Sequence, residues 1–241
     1  MSEEEVIKHT KKAFKVWGEK NKSFWYRLKE FALEIFIIVF AITLSIWFHN
    51  WSEHRQEQAQ VKTFLLGLEK DISADIDDTK DILESYKLYD SVYRYLSNLD
   101  RNKKPDMDSL KKMFPQINSS TFLRPHESRF NGFLSAGKIM TIEDDSLSYA
   151  ILAYYQEVIA RLKSSEEGWQ SLHNHLSDYL LDNVKDFDNY ADIWEVLTTA
   201  KGKFLTKTLR PWNQLLERYR DIITAGSKIV ATIHKLYPDG Q

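Results

Sequence analysis

The sequence predicts an all-α protein: one transmembrane helix continuing into a long stalk helix, with an extramembrane antiparallel helical bundle beyond it. Three observations carry this. Phe31 to Phe48 (FALEIFIIVFAITLSIWF) runs eighteen residues with a single charge, Glu34. No Pro or turn cluster follows Trp51 for nearly fifty residues. Apolar residues then recur at spacings of three and four, and signals for β-hairpins are absent.

The eighteen-residue run is long enough to cross a bilayer, since a helix of that length spans about 27 Å. A buried core helix normally keeps a polar face, and Ile35 to Ile46 has none wider than Thr43 and Ser45. Trp25 and Tyr26 before the run, with Trp47 and Trp51 at its end, are the expected membrane-anchoring rings at the two interfaces. A signal peptide would have a shorter apolar region and a small-residue cleavage site. Here His49-Asn50-Trp51-Ser52-Glu53 follows, so the segment is expected to stay attached. The expected divisions are a basic amphipathic leader at 1–23, the membrane helix and its flanks at 24–51, and a helical bundle domain at 52–241.

Charge sets the expected orientation. Residues 1–30 hold eight Lys/Arg against five Glu, leaving twenty-five basic and thirty acidic residues beyond them. Positive charge before the span predicts an N-terminus in the cytoplasm and the bundle on the far side of the membrane. The mildly acidic bundle argues against nucleic acid as a partner. The chain has no cysteine, which excludes disulfides, iron–sulfur clusters and thiol catalysis.

In the leader, Val6, Ile7, Phe14 and Trp17 fall near one helical face and Lys8, Lys11, Lys12 and Lys15 on the other. Such a helix can lie on an anionic membrane surface, or its lysines can serve only to set topology. Ser23 is placed to cap the helix that follows. Glu34 lies toward the cytoplasmic end of the span, and a carboxylate at mid-bilayer costs about 2.5–3.5 kcal/mol. It is read either as a near-interface charge or as an intramembrane contact with a partner helix, in which Ser45 shares its stripe.

Ser52 to Gln60 is polar throughout, and from Val61 an apolar stripe begins: Leu65, Leu68, Ile72, Ile76, Leu83, Tyr86. Asp71, Asp75, Asp77, Asp78 and Asp81 lie mostly off it and read as a solvated face. They lack the ligand spacing of a calcium loop. One nearly continuous helix over 24–98 is expected. Asn98 to Pro105 is a turn, and Asp106 or Asp108 is set to cap a short helix through Met113. Pro115 and Pro125 bracket an irregular connection. A helix over Glu127–Ala136 should end at Gly137. Thr141-Ile142-Glu143-Asp144 has the form of a capping box for a long helix carrying Leu147, Ile151, Tyr154, Tyr155, Trp169 and Leu176. A shorter helix over Asp188–Thr199 should close at Gly202, and Pro211 suits the first turn of a last helix.

Two motifs stand out together. Trp47-Phe48-His49-Asn50-Trp51-Ser52-Glu53-His54-Arg55 follows an apolar span preceded by Glu34. Further on come Phe133-Leu134-Ser135-Ala136-Gly137-Lys138-Ile139, then Ile142, Ser146-Leu147, Ile151 and Tyr154-Tyr155. Over about residues 30–160 this resembles a family of uncharacterised single-span bacterial membrane proteins, common in Bacteroidota and some marine proteobacteria and carrying a domain of unknown function. Ser52 stands where an Asn is usual and Ala136 where Ser is frequent. The resemblance implies a single-span helical membrane protein and transfers no enzymatic residue.

No residues are assigned as catalytic, cofactor-binding or metal-binding. His173 and His175 are two apart, about 200° on a helix, so they do not ligate one ion together. Ser135-Ala136-Gly137-Lys138 lacks the upstream Gly, the preceding strand and the hydroxyl of a phosphate loop. Arg124, His126 and Arg129 form the one candidate anion contact. The expected function is a membrane-anchored scaffold or interaction protein without enzymatic activity, bound to the lipid bilayer and to a protein partner or its own copy. The alternative is a periplasmic sensor or regulatory subunit of a membrane complex, whose output a partner would supply.

Overall fold

The computed structural model describes residues 24–103 and 105–238. The leader expected at 1–23 lies outside the described residues. The described chain is all-α, and two compact units divide it, Met1–Gln60 and Val61–Gln241. Helix α1, Phe24–Ser97, contributes to both.

In the first unit α1 carries the apolar run. Only 6% of its most apolar eighteen-residue window is buried, so Phe36, Val39, Phe40, Ile42 and Ile46 all stand open. Thr43 satisfies its own hydroxyl by donating to the Val39 carbonyl at 2.8 Å, which removes its cost in an apolar medium. Trp25, Tyr26, Trp47 and Trp51 are exposed, and the Arg55 guanidinium lies 5.5 Å from the Trp51 ring centroid.

In the second unit the stripe of α1 is buried as its spacing predicts, from Val61 through Leu65, Leu68, Ile72 and Ile76 to Tyr86. Asp106 caps α2, Met107–Met113, by accepting from Asp108 N. A 3-10 turn, Phe114–Asn118, and an extended stretch lead into α3, Ser128–Ser135. Gly137 ends that helix region at φ 70°, a conformation a side chain would strain. Then come a 3-10 turn (Lys138–Thr141), α4 (Asp145–Ala153), a π-helical turn (Tyr154–Val158) and α5 (Ile159–Asn183). Helices α6 (Tyr190–Leu197), α7 (Ala200–Thr208) and α8 (Asn213–Leu236) complete the unit.

Pairwise contacts give the directions. Tyr95 meets Asp106, His126 meets Asp75 and Phe133 stacks on Phe64, so residues 106–133 run back down α1. The chain then rises again: Tyr155 stacks on Phe130, while Trp169 packs on Tyr86 and Tyr89 farther along α1. Helix α8 descends, with Arg210 on Asp90, Gly226 beside Ile72 and Ile76, and Lys62 over Tyr237. Thus α1 and α5 are parallel, α8 is antiparallel to both, and residues 106–133 form the crossover that parallel neighbours require.

Four local expectations change. Asp75 belongs to no solvated face: it is fully buried with Thr79, because the core stripe continues Ile72, Asp75, Thr79, Ile82, Tyr86. The cap of α4 is Asp144, which accepts from Leu147 N at 2.9 Å, and Thr141 instead closes the preceding 3-10 turn. Gly202 does not close a helix. It lies inside α7, whose cap Thr199 accepts from Gly202 N, and a Cβ there would overlap the Val196 carbonyl oxygen. Pro211 precedes α8, which begins at Asn213 after Trp212.

Candidate functional site

The descending crossover makes few backbone hydrogen bonds of its own between residues 119 and 127, because it is extended and has no neighbouring strand. Much of this stretch is open to water, but backbone polar groups buried without partners cost free energy, so side chains must supply partners where it is covered, as at Leu123. Two buried carboxylates do so. Asp75 of α1 accepts from His126 N at 3.0 Å through one oxygen and 3.3 Å through the other. It also takes the His126 ring Nδ1 at 2.6 Å. Glu166 of α5 accepts from Leu123 N at 2.9 Å and from the Tyr219 hydroxyl of α8 at 2.6 Å, through the same oxygen. The two pins are three residues apart on the crossover.

Supporting contacts surround them. The His173 ring Nε2 meets the Ile117 carbonyl. Lys163 reaches Glu127 at 2.7 Å, and the Tyr155 hydroxyl lies 3.5 Å from the His126 carbonyl. Arg129 Nε donates to Asp71 at 2.8 Å, four residues before Asp75. The Arg129 guanidinium lies against Gly67, where a Cβ would overlap it, so this glycine gives the cation room to reach Asp71. The π turn places two successive tyrosines in the core at this level: Tyr154 is fully buried, and Tyr155 stacks on Phe130 at 4.2 Å. Such turns insert a residue into a helix and recur at functional sites.

Electrostatics follow from burial. Desolvation pushes the Asp75 carboxyl up, against the bonds from His126 that pull it down. His126, whose side chain is half exposed, is held above its usual range, chiefly by its bond to Asp75. Desolvation likewise raises Glu166, opposed by Tyr219 and Leu123 N. A histidine held through Nδ1 by a buried carboxylate turns Nε2 toward solvent, an orientation suited to accepting a proton.

Of the predicted anion-contact residues, all three are exposed, but His126 and Arg129 are each matched by a carboxylate of α1, Asp75 and Asp71. His173 is buried and His175 exposed, so the two diverge. Among the described residues, no three of His, Asp or Glu converge as metal ligands. Of the residues of the predicted intramembrane contact, Glu34 is 8% exposed and Ser45 is open. The composition gave no sign of Glu166 or Tyr219 as a pair. Asp75 falls on the apolar series only once Thr79 is counted as core, so its signal in the sequence is weak.

The fold and this site define a class: an all-α protein with one exposed apolar helix and a bundle whose crossover is pinned by buried acids. The chain belongs to the family of unknown function DUF6090, whose model matches residues 34–181. That range holds the apolar run from Glu34 onward, with Asp75, His126 and Glu166, and ends before Tyr219. No curated protein and no solved structure matches the chain.

Proposed function

We propose that the chain is a single-pass, membrane-anchored scaffold or interaction protein of the bacterial inner membrane, with its N-terminus in the cytoplasm and its helical bundle in the periplasm. One observation carries the reading: α1 presents an eighteen-residue apolar window of which only 6% is buried in the protein. An exposed apolar surface of that length is unfavourable in water and matches a bilayer core of about 30 Å. The rings at Trp25, Tyr26, Trp47 and Trp51 are open to headgroups, and the Lys/Arg excess lies on the N-terminal side. The buried acids Asp75 and Glu166 fasten the bundle's own crossover, which favours display of a surface over catalysis. The partners in this reading are lipid and a protein, either a second copy or another chain.

Membrane fractionation with reporters tests it. The chain should remain in the pellet after an alkaline carbonate wash. A reporter fused after Gln241 should be periplasmic and one fused before Met1 cytoplasmic. Release by carbonate would remove the anchor, and a cytoplasmic C-terminal reporter would overturn the orientation.

A further inference from the structure

A groove of about 530 Å³ runs between α4 with its π turn and helix α8. Its apolar lining sets small residues, Ala150, Ala153 and Ala225, among Leu147, Tyr154 and Ile229. Tyr149 stands at its edge, 71% exposed, the largest exposed apolar side chain of α4. One wall carries Asp144 and Arg161, the other Asp221 and Lys228. Tyr219 meets Glu166, and Tyr237 feels the charge of Glu143, so the walls are antiparallel and Arg161 and Asp221 share one end.

We propose that this groove is an interface between two copies of the chain, docked about a two-fold axis along the groove. Each α8 wall then meets the α4–α5 wall of the other copy. Two-fold contacts are self-complementary, so a surface suited to them needs both signs of charge arranged to meet their opposites. Here each wall bears one acid and one base. Arg161 of one copy faces Asp221 of the other, and Lys228 of one lies on the side of Asp144 of the other. The small lining residues leave room for Tyr149 of the second copy. A uniformly charged ligand would meet an opposing sign on both walls. Arg161 and Asp221 already pair within the chain, with Glu157 at 3.5 Å and Arg218 at 3.7 Å, long contacts that a second copy can exchange for its own. The inference goes beyond the anchor and does not rest on it.

Because the chain has no cysteine, one introduced thiol reports only on a second copy. The full chain bearing Tyr149→Cys, in detergent, should cross-link to a dimer with a flexible bis-maleimide. Leu181→Cys, at a position 68% exposed outside the groove, should not. The cross-link reads the groove itself, so association through the apolar helix does not imitate it. Arg161→Glu and Asp221→Arg, both at exposed positions, should each weaken the dimer by about tenfold, since the two-fold axis doubles each lost pair. The double variant should restore it, which loss of fold would not allow. Equal cross-linking at Tyr149 and Leu181 would overturn the proposal. So would a double variant as weak as the singles, or a monomer that co-purifies with lipid protecting the Tyr149→Cys thiol.

Discussion

Asp75→Ala is the sharpest test of the pinned crossover. The change removes the side chain that holds both His126 N and the His126 ring. Hydrogen bonds to a charged acceptor contribute about 1.5–3 kcal/mol each. The ring bond must be discounted because His126 is half exposed and water can replace its partner. Weighting the backbone bond fully and the ring bond lightly gives a loss of about 3 kcal/mol. For a folded unit spanning Val61–Gln241 that corresponds to a fall in Tm of about 6–12 °C. Asp75→Asn keeps the shape and one acceptor oxygen, so it should lose about half as much. Asp77→Ala, two residues on, removes only an exposed pair with Lys80 and should cost under about 0.5 kcal/mol. The assay is thermal unfolding of the full chain in detergent, followed by tryptophan fluorescence, since Trp169 is fully buried at the core. Helicity alone is a poor probe, because the apolar part of α1 can remain helical in detergent. If Asp75→Ala shifts Tm no more than Asp77→Ala, the carboxylate is not holding the crossover.

Two further outcomes follow from the same geometry. His126, Asp75 and Glu166 are all raised in the folded state, so the native protein holds protons more tightly than the unfolded chain and stability falls as pH rises. The His126 contribution should be fully present below pH 6.5 and lost as pH climbs through its raised value; Tm measured from pH 6 to 9 should show this decline, and His126→Gln should flatten it. Gly202→Ala, although it favours helix by about 1 kcal/mol, should destabilise by more than about 2 kcal/mol, because the new Cβ meets the Val196 and Leu197 carbonyls, which are backbone and cannot rotate away. Chemical denaturation should read this as a lower midpoint at unchanged slope.

Residue patterns that depend on local geometry were legible in the sequence. The apolar run, the stripe from Val61, the Asp106 cap and the left-handed Gly137 each follow from short-range rules, and the structure contains all four. What was not legible depends on distant partners. Asp75 reads as one of five acids on a solvated face until a crossover fifty-one residues later places His126 against it. Glu166 sits on a helix with ordinary amphipathic spacing and becomes a pin only because Leu123 and Tyr219 arrive from either side. Gly202 looks like a terminator because glycine usually is one; here the tight approach of α7 to the end of α6 demands it instead.

The parallel arrangement of α1 and α5 explains why acids are buried at all. Two parallel helices need a return segment, and an apolar return path would leave its backbone groups unsatisfied in the core. A helical return would satisfy them internally, but Pro115 and Pro125 restrict the residues before them and break up that path. The remaining solution is to bring acceptors to the extended backbone. Carboxylates suit this, since each oxygen can accept more than one bond, as a single Glu166 oxygen does here. Burying an acid is costly when it is unpaired, so Asp75 and Glu166 each stabilise this crossover only with their donors in place. The pins therefore select one register of residues 119–127 over any slipped alternative, because a shift of one residue would leave both acids without their backbone donors.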